Sequence, residues 1–151
     1  MRTELSQLIS QLQAIRKEPA DGGSERFETV LAKICDLRHP NCIGPLVLLL
    51  DDNETSEDLM FSIIHAVEMF EDDIYVSHIL DVLPELWARS PRWTKILHMR
   101  IWNSTATRAA YVDRLQHGTE GQRRTAKMVL RDVAQWHPEF SESIDAVLAQ
   151  L

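Results

Sequence analysis

Two runs of histidine and carboxylate have the spacing that chemistry on a helix face requires. His65, Glu68 and Asp72 stand at i, i+3 and i+7, and His78, Asp81 and Glu85 repeat that spacing. On a helix each set lines one side, and imidazole with carboxylates is a ligand set for Zn, Fe or Mn. Di-iron bundles, however, put the acid first, as Glu-x-x-His, and add glutamates from facing helices. The order here is reversed, and an acid soon after a histidine is commonplace in so acidic a stretch. The ladders therefore read as polar networks or interface residues, and no metal ligand or cofactor is assigned. The chain also lacks a Gly-rich phosphate loop, a G-x-S-x-G elbow and an H-E-x-x-H motif. No catalytic residue is assigned, and no enzyme is expected.

The elements that must position these side chains are helices. Leu5, Leu8, Ile9, Leu12 and Ile15 follow the helical period and define a first helix ending before Pro19. Ala20 to Gly23 reads as a loop, and Ser24 as the cap of a second helix bearing Phe27, Val30, Leu31, Ile34 and Leu37. His39-Pro40-Asn41 ends it, and a short buried helix through Leu46, Leu49 and Leu50 follows. Thr55 and Asp58 resemble a capping box opening a helix to about Phe70, and Asp72-Asp73 start the next. Pro84 should kink or break that one. Ser90-Pro91 reads as a cap and first helical position, Thr105 to Gln116 as a further helix stopping at Gly118, and Thr119 with Gln122 as a capping box. That helix ends near Trp136, and Pro138 opens the last.

No strand-like alternation of useful length appears. Helix pairs beginning near residues 5, 43, 74 and 105 resemble the period of α-solenoids, roughly 31–38 residues, without a shared sequence signature. The expected fold is all-α, an irregular HEAT-like α-solenoid of about eight to ten antiparallel helices. A helical bundle is the alternative. Length and an apolar content of 44% suit a single all-helical domain over residues 1–151.

The longest apolar run, Ile43 to Leu50, contains Gly44 and Pro45 and falls far short of the ~20 residues that span a bilayer. The opening MRTELSQLIS has no basic segment followed by an apolar one, so a cytoplasmic location and no membrane partner are expected. Cys35 and Cys42, without a Cys-x-x-Cys pair, read as two free, partly buried thiols.

Charge is the most informative feature. The net charge is −7, yet His39 to Ala88 holds eleven acids and no Lys or Arg, whereas Arg89 to Arg131 holds ten bases and two acids. Placed on a wheel, residues 54–72 put Leu59, Ile63, Ala66, Val67 and Phe70 on the core side. Glu54, Asp58, Phe61, His65, Glu68 and Asp72 fall opposite. Phe61 inside that acidic rim has the composition of an interface anchor, unless a neighbouring helix covers it. The candidate partner-binding set adds Glu71, Asp73, His78, Asp81 and Trp102, the last being either core or anchor. Arg100 lies among Trp93, Ile96, Leu97 and Ile101 and needs an acidic partner from the middle of the chain. Arg123, Arg124, Lys127 and Arg131 form a basic helix face with Arg108 and Arg114 nearby. The acidic middle repels phosphate over a Debye length of ~8 Å, so pairing or solvation is expected for these bases and no nucleic acid.

The stretch from Met60 to Val76, MFSIIHAVEMFEDDIYV, resembles the central segment of the immunity protein 30 family of bacterial polymorphic-toxin systems. Ser90 to Ser104, SPRWTKILHMRIWNS, is similar to the helix that follows in that family. The resemblance implies a cytoplasmic protein that binds the toxic C-terminal domain delivered by sibling cells, usually occluding its active site or holding it in an inactive form. Many such toxins are nucleases with basic clefts, which an acidic surface would complement. The alternative function is a helical-repeat scaffold or adaptor binding another cellular protein.

Overall fold

The computed structural model describes residues 2–16 and 23–151. Among these there are nine α-helices and no strand. They are α1 (Arg2–Arg16), α2 (Gly23–Leu37), α3 (Ile43–Val47), α4 (Glu57–Val67), α5 (Asp72–Arg89), α6 (Pro91–Trp102), α7 (Thr105–Gln116), α8 (Glu120–Trp136) and α9 (Ser141–Leu148). Short 3-10 turns at Pro40–Cys42 and Pro138–Phe140 precede α3 and α9.

The apolar periods predicted for α1 and α2 are the faces that pack. Leu5, Leu8, Ile9 and Leu12 of α1, with Phe27, Val30, Leu31 and Ile34 of α2, are all buried. Helix α2 begins at Gly23, so Ser24 lies in its first turn rather than capping it, and the predicted loop lies largely outside the described residues. Arg38 then takes a left-handed backbone with φ 51°, and His39 Nδ1 accepts from the Asn41 N–H at 3.1 Å. Together they turn the chain into α3.

Helix α5 is the centre of the bundle and packs against α3, α6, α7 and α8. At Gly44 of α3 a Cβ would stand 3.2 Å from Val82 Cγ1, so glycine lets these two helices approach closely. Pro84 does not interrupt α5, which runs on to Arg89. Buried Ile79, Leu80, Leu83 and Leu86 pin the chain on both sides of it. At ~1.5–3 kcal/mol for each such side chain, burial outweighs the ~3 kcal/mol that an internal proline costs. Helices two apart also pack together, as α2 on α4, α3 on α5, α5 on α7 and α6 on α8. One continuous apolar cluster draws residues from α1 through α9.

Candidate protein-binding surface

Helix α4 opens one residue later than Thr55 would have it. Ser56 is the N-cap, with its Oγ accepting from the Leu59 N–H at 3.4 Å. It also closes at Val67, before Phe70, with Glu68 at its C-cap. His65 and Glu68 therefore share no continuous helix with Asp72, which starts α5, and the first histidine ladder does not form. Only His78, Asp81 and Glu85, all within α5, retain the ladder spacing.

Leu59, Met60, Ile63, Ile64, Ala66 and Val67 bury the inner face of α4, leaving Asp58, Phe61, Ser62 and His65 outward. Three contacts tie α4 to α6. Glu57 pairs with Arg92 at 3.5 Å, Phe61 meets the edge of Trp93 with centroids 5.2 Å apart, and Glu68 pairs with Arg100. The partner numbers rise together, so the two helices run in the same direction, bridged by their side chains. Phe61 is thus half-buried, with its ring against Trp93 and His65 beside it at 6.3 Å.

Arg100 obtains its acid from the middle of the chain, as predicted, but at the surface. Nε and Nη2 donate to the two Glu68 oxygens at 2.8 and 2.7 Å, with both side chains about a third exposed. Most other acids of the stretch are also engaged within the fold. Glu54 pairs with Arg16 and accepts from the Ser56 N–H at 2.9 Å. The Ser56 bond above all, with Arg16 adding to it, holds its carboxyl below the usual range against the opposing effect of burial. Asp72 accepts from Thr107 Oγ1 at 2.8 Å, Asp73 lies 4.0 Å from Arg114, and Asp81 accepts from Gln122 at 3.3 Å. Asp52 does what no local pattern announces. Its carboxylate accepts from the Arg92 and Trp93 N–H groups at 2.9 and 3.0 Å, capping α6 from 40 residues upstream. Ser90, at the N-cap position, instead donates to the Leu50 carbonyl at 2.6 Å.

Among the described residues, the Asp58 and Glu71 carboxylates make no ion pair or hydrogen bond. They flank His65, which is exposed, and Met69, which is 44% exposed in the turn between α4 and α5. Sequence reasoning missed Met69 because it ran α4 on to Phe70. Trp102 leaves the candidate surface altogether. It is fully buried, its Nε1 donates to Ser143 Oγ at 3.1 Å, and its ring meets Tyr111 edge-on at 5.7 Å. His78 is half-buried on α5. The bases that neutralise the acids come from α1, α6 and α7, with Arg89 meeting Glu85 within α5, whereas among the described residues the α8 bases make no ion pair with the acidic helices.

Behind the surface, His98 is fully buried. Its Nδ1 donates to the Thr94 carbonyl at 2.8 Å, which leaves Nε2 to accept from Tyr111 Oη at 2.7 Å. Burial lowers its pKa to about 4 against a smaller opposing effect of that carbonyl, and pushes the Tyr111 hydroxyl up. The Cys42 thiol is likewise buried and raised to about 12, with Cys35 half-buried. No cluster of three or more His, Cys, Asp or Glu among the described residues could hold a metal, and no described helix is long and apolar enough to cross a membrane.

These features place the chain among all-α proteins whose chemical resource is exposed charge. The profile of the family described as Immunity protein 30 matches residues 13–111, more than half of the chain, and the chain belongs to that family. Its members are immunity proteins rather than enzymes. Neither a curated protein nor a solved structure matches the chain.

Proposed function

We propose that this protein neutralises a cognate toxin domain by laying the outer face of α4 and the α4–α5 turn over a basic surface bordering the toxin's active site. Membership of the immunity family over residues 13–111 carries the reading. The uncommitted carboxylates of Asp58 and Glu71, with His65, Phe61 and Met69 between them, supply the contact. Desolvating a carboxylate that already has a partner sacrifices that bond, so free acids are the ones a basic cleft can use at least cost. Glu54, Glu68, Asp72, Asp73, His78 and Asp81 flank the contact. Their field assists encounter, an effect that reaches ~10–10³-fold in rate for strongly charged surfaces.

The accessible surface is 8094 Å², of which a standard interface takes ~800 Å² per partner. Packing between helices two and three apart, as α5 on α7 and α8, favours the helical-bundle alternative over a HEAT-like stack, and the continuous core supports a single domain. A toxin acting inside the cell places its antagonist in the cytoplasm.

Co-expression with the toxin domain encoded immediately upstream tests the proposal. The wild type restores growth, and Asp58→Lys/Glu71→Lys does not, although it melts like the wild type. Protection by the charge-reversed variant would move the contact elsewhere. No protection by the wild type, or a partner unrelated to that neighbouring gene, would end the immunity reading in favour of an adaptor.

A further inference from the structure

Helix α8 carries uncommitted charge of the opposite sign. Arg124, Lys127, Met128 and Arg131 recur at steps of three and four residues and so share one face. Ala126, Val129, Leu130 and Val133 are buried on the other side, so this stripe points away from the core. Among the described residues Arg124 reaches only Glu120 of its own helix, at 3.7 Å between two well-exposed side chains, a geometry that contributes little. Among the described residues Lys127 and Arg131 have no ion pair. Met128, 41% exposed, sits between them. At one end a concavity of about 290 Å³ opens between Glu120, Arg123, Arg124, Lys127 and Leu151. Arg123 is held there by the Gly118 carbonyl at 2.6 Å, so it lends a fixed positive wall.

We infer that this stripe is a second docking surface, which takes an acidic segment of the partner polypeptide with an apolar side chain seated on Met128. The inference rests on the immunity reading, and the segment then belongs to the toxin chain, outside its basic cleft. Charge complementarity sets the sign, because a surface that accepts α4 must repel α8. The apolar residue sets the class. Met and Arg are enriched at protein interfaces, whereas a phosphate backbone gains nothing from a thioether in the middle of its cations. The net charge of −7 also opposes nucleic acid. From Arg124 to Arg131 the stripe is ~10 Å long, the length of two helical turns or about three residues of extended chain. A single carboxylate entering the concavity with a Met128 contact beside it fills that length.

The test measures affinity for the catalytically inactivated toxin domain encoded immediately upstream, with a single-stranded RNA oligonucleotide as a second probe. The variants are Lys127→Glu/Arg131→Glu, Met128→Lys and Asp58→Lys/Glu71→Lys, each checked for an unchanged melting curve. All three weaken toxin binding ~10-fold or more. Met128→Lys is the decisive one, because it adds positive charge yet removes the apolar seat. Toxin affinities of both α8 variants within about twofold of wild type, with Asp58→Lys/Glu71→Lys still weakened, overturn the inference and leave the proposed function standing. Oligonucleotide binding that tightens in Met128→Lys while toxin binding is unaffected overturns it in favour of nucleic acid. A dimer that the α8 variants split, again with toxin affinity unaltered, overturns it in favour of a second copy of this chain. No complex with the wild type overturns both readings together.

Discussion

Asp52→Ala removes an acceptor that serves two backbone donors at the start of α6 and lies 40 residues from the nearer of them. Losing an N-cap acceptor costs ~0.5–2 kcal/mol. Here the acceptor is ionised and faces the positive end of the helix dipole, which adds ~0.3–1 kcal/mol. The two donors differ. Arg92 is exposed, so water replaces its bond, whereas Trp93 is fully buried and its N–H faces a desolvation cost of ~1–3 kcal/mol. The expected loss is ~2 kcal/mol in total, because part of the cap and desolvation costs is the same bond counted twice. For a chain of this length that lowers Tm by roughly 4–8 °C. Asp52→Asn keeps one neutral oxygen and should lose about half as much. Urea and thermal unfolding followed by far-UV circular dichroism give both numbers. Tryptophan fluorescence adds a second readout, to which Trp93 contributes together with the chain's three other tryptophans. Asn53→Ala, whose exposed side chain makes no hydrogen bond, is the control and should stay within ~0.5 kcal/mol. If Asp52→Ala is as stable as that control, the remote cap contributes nothing and the account of α6 is wrong.

Ser56→Ala should cost ~1 kcal/mol in urea unfolding and Thr55→Ala almost nothing, because Ser56 makes the α4 cap bond; equal losses would return the cap to Thr55. His98 has its pKa lowered from 6.5 to about 4, so the unfolded chain binds a proton across that window and the folded chain does not. Its contribution is complete above pH 6.5 and is lost as the pH falls toward 4, and His98→Gln should flatten that part of the pH–stability profile relative to wild type. A double-mutant cycle on Glu68 and Arg100 should return ~1 kcal/mol, since the pair is bidentate but each partner is about a third exposed and screened by water. Glu68→Ala should lower stability more than it lowers affinity for the toxin domain, and the reverse ordering would make Glu68 a contact residue.

The parts of the fold that were legible in the sequence are those whose physics is local. Thr119 and Gln122 are three residues apart, and the reciprocal capping box between them forms at 3.0 Å in both directions. The core face of α5, Tyr75, Val76, Ile79, Leu80 and Leu83, is buried as its period requires. Partnerships made across the fold were not legible. Asp52 takes the capping role expected of Ser90 because Leu50 and Asp52 arrive from a distant turn, and Pro84 survives because tertiary burial outweighs a local penalty. The outer face of α4 was half legible. Its wheel placed Asp58, Phe61 and His65 together, but which acids remain unpaired depended on where Arg16, Arg100, Thr107 and Arg114 come to rest. Trp102 could be read either way from sequence, and the fold places it beside Tyr111 and Ser143 in the interior.

The pairing of α4 and α5 acids with α6 and α7 bases also sets an order of events during synthesis. A ribosome releases the eleven acids of residues 39–88 before any of the ten bases of residues 89–131. Until α6 emerges, Glu57, Glu68 and Asp52 have neither Arg92, Arg100 nor the α6 amides to meet, and the acidic segment repels itself. Arg16 is already out and can meet Asp51 and Glu54, whereas the pairs of Glu57, Glu68 and Asp73 wait until the counter-charges of α6 and α7 leave the tunnel. A stall before Arg89 would leave an acidic, protease-sensitive fragment, whereas a stall after Gln116 would leave one whose main charge pairs can already form.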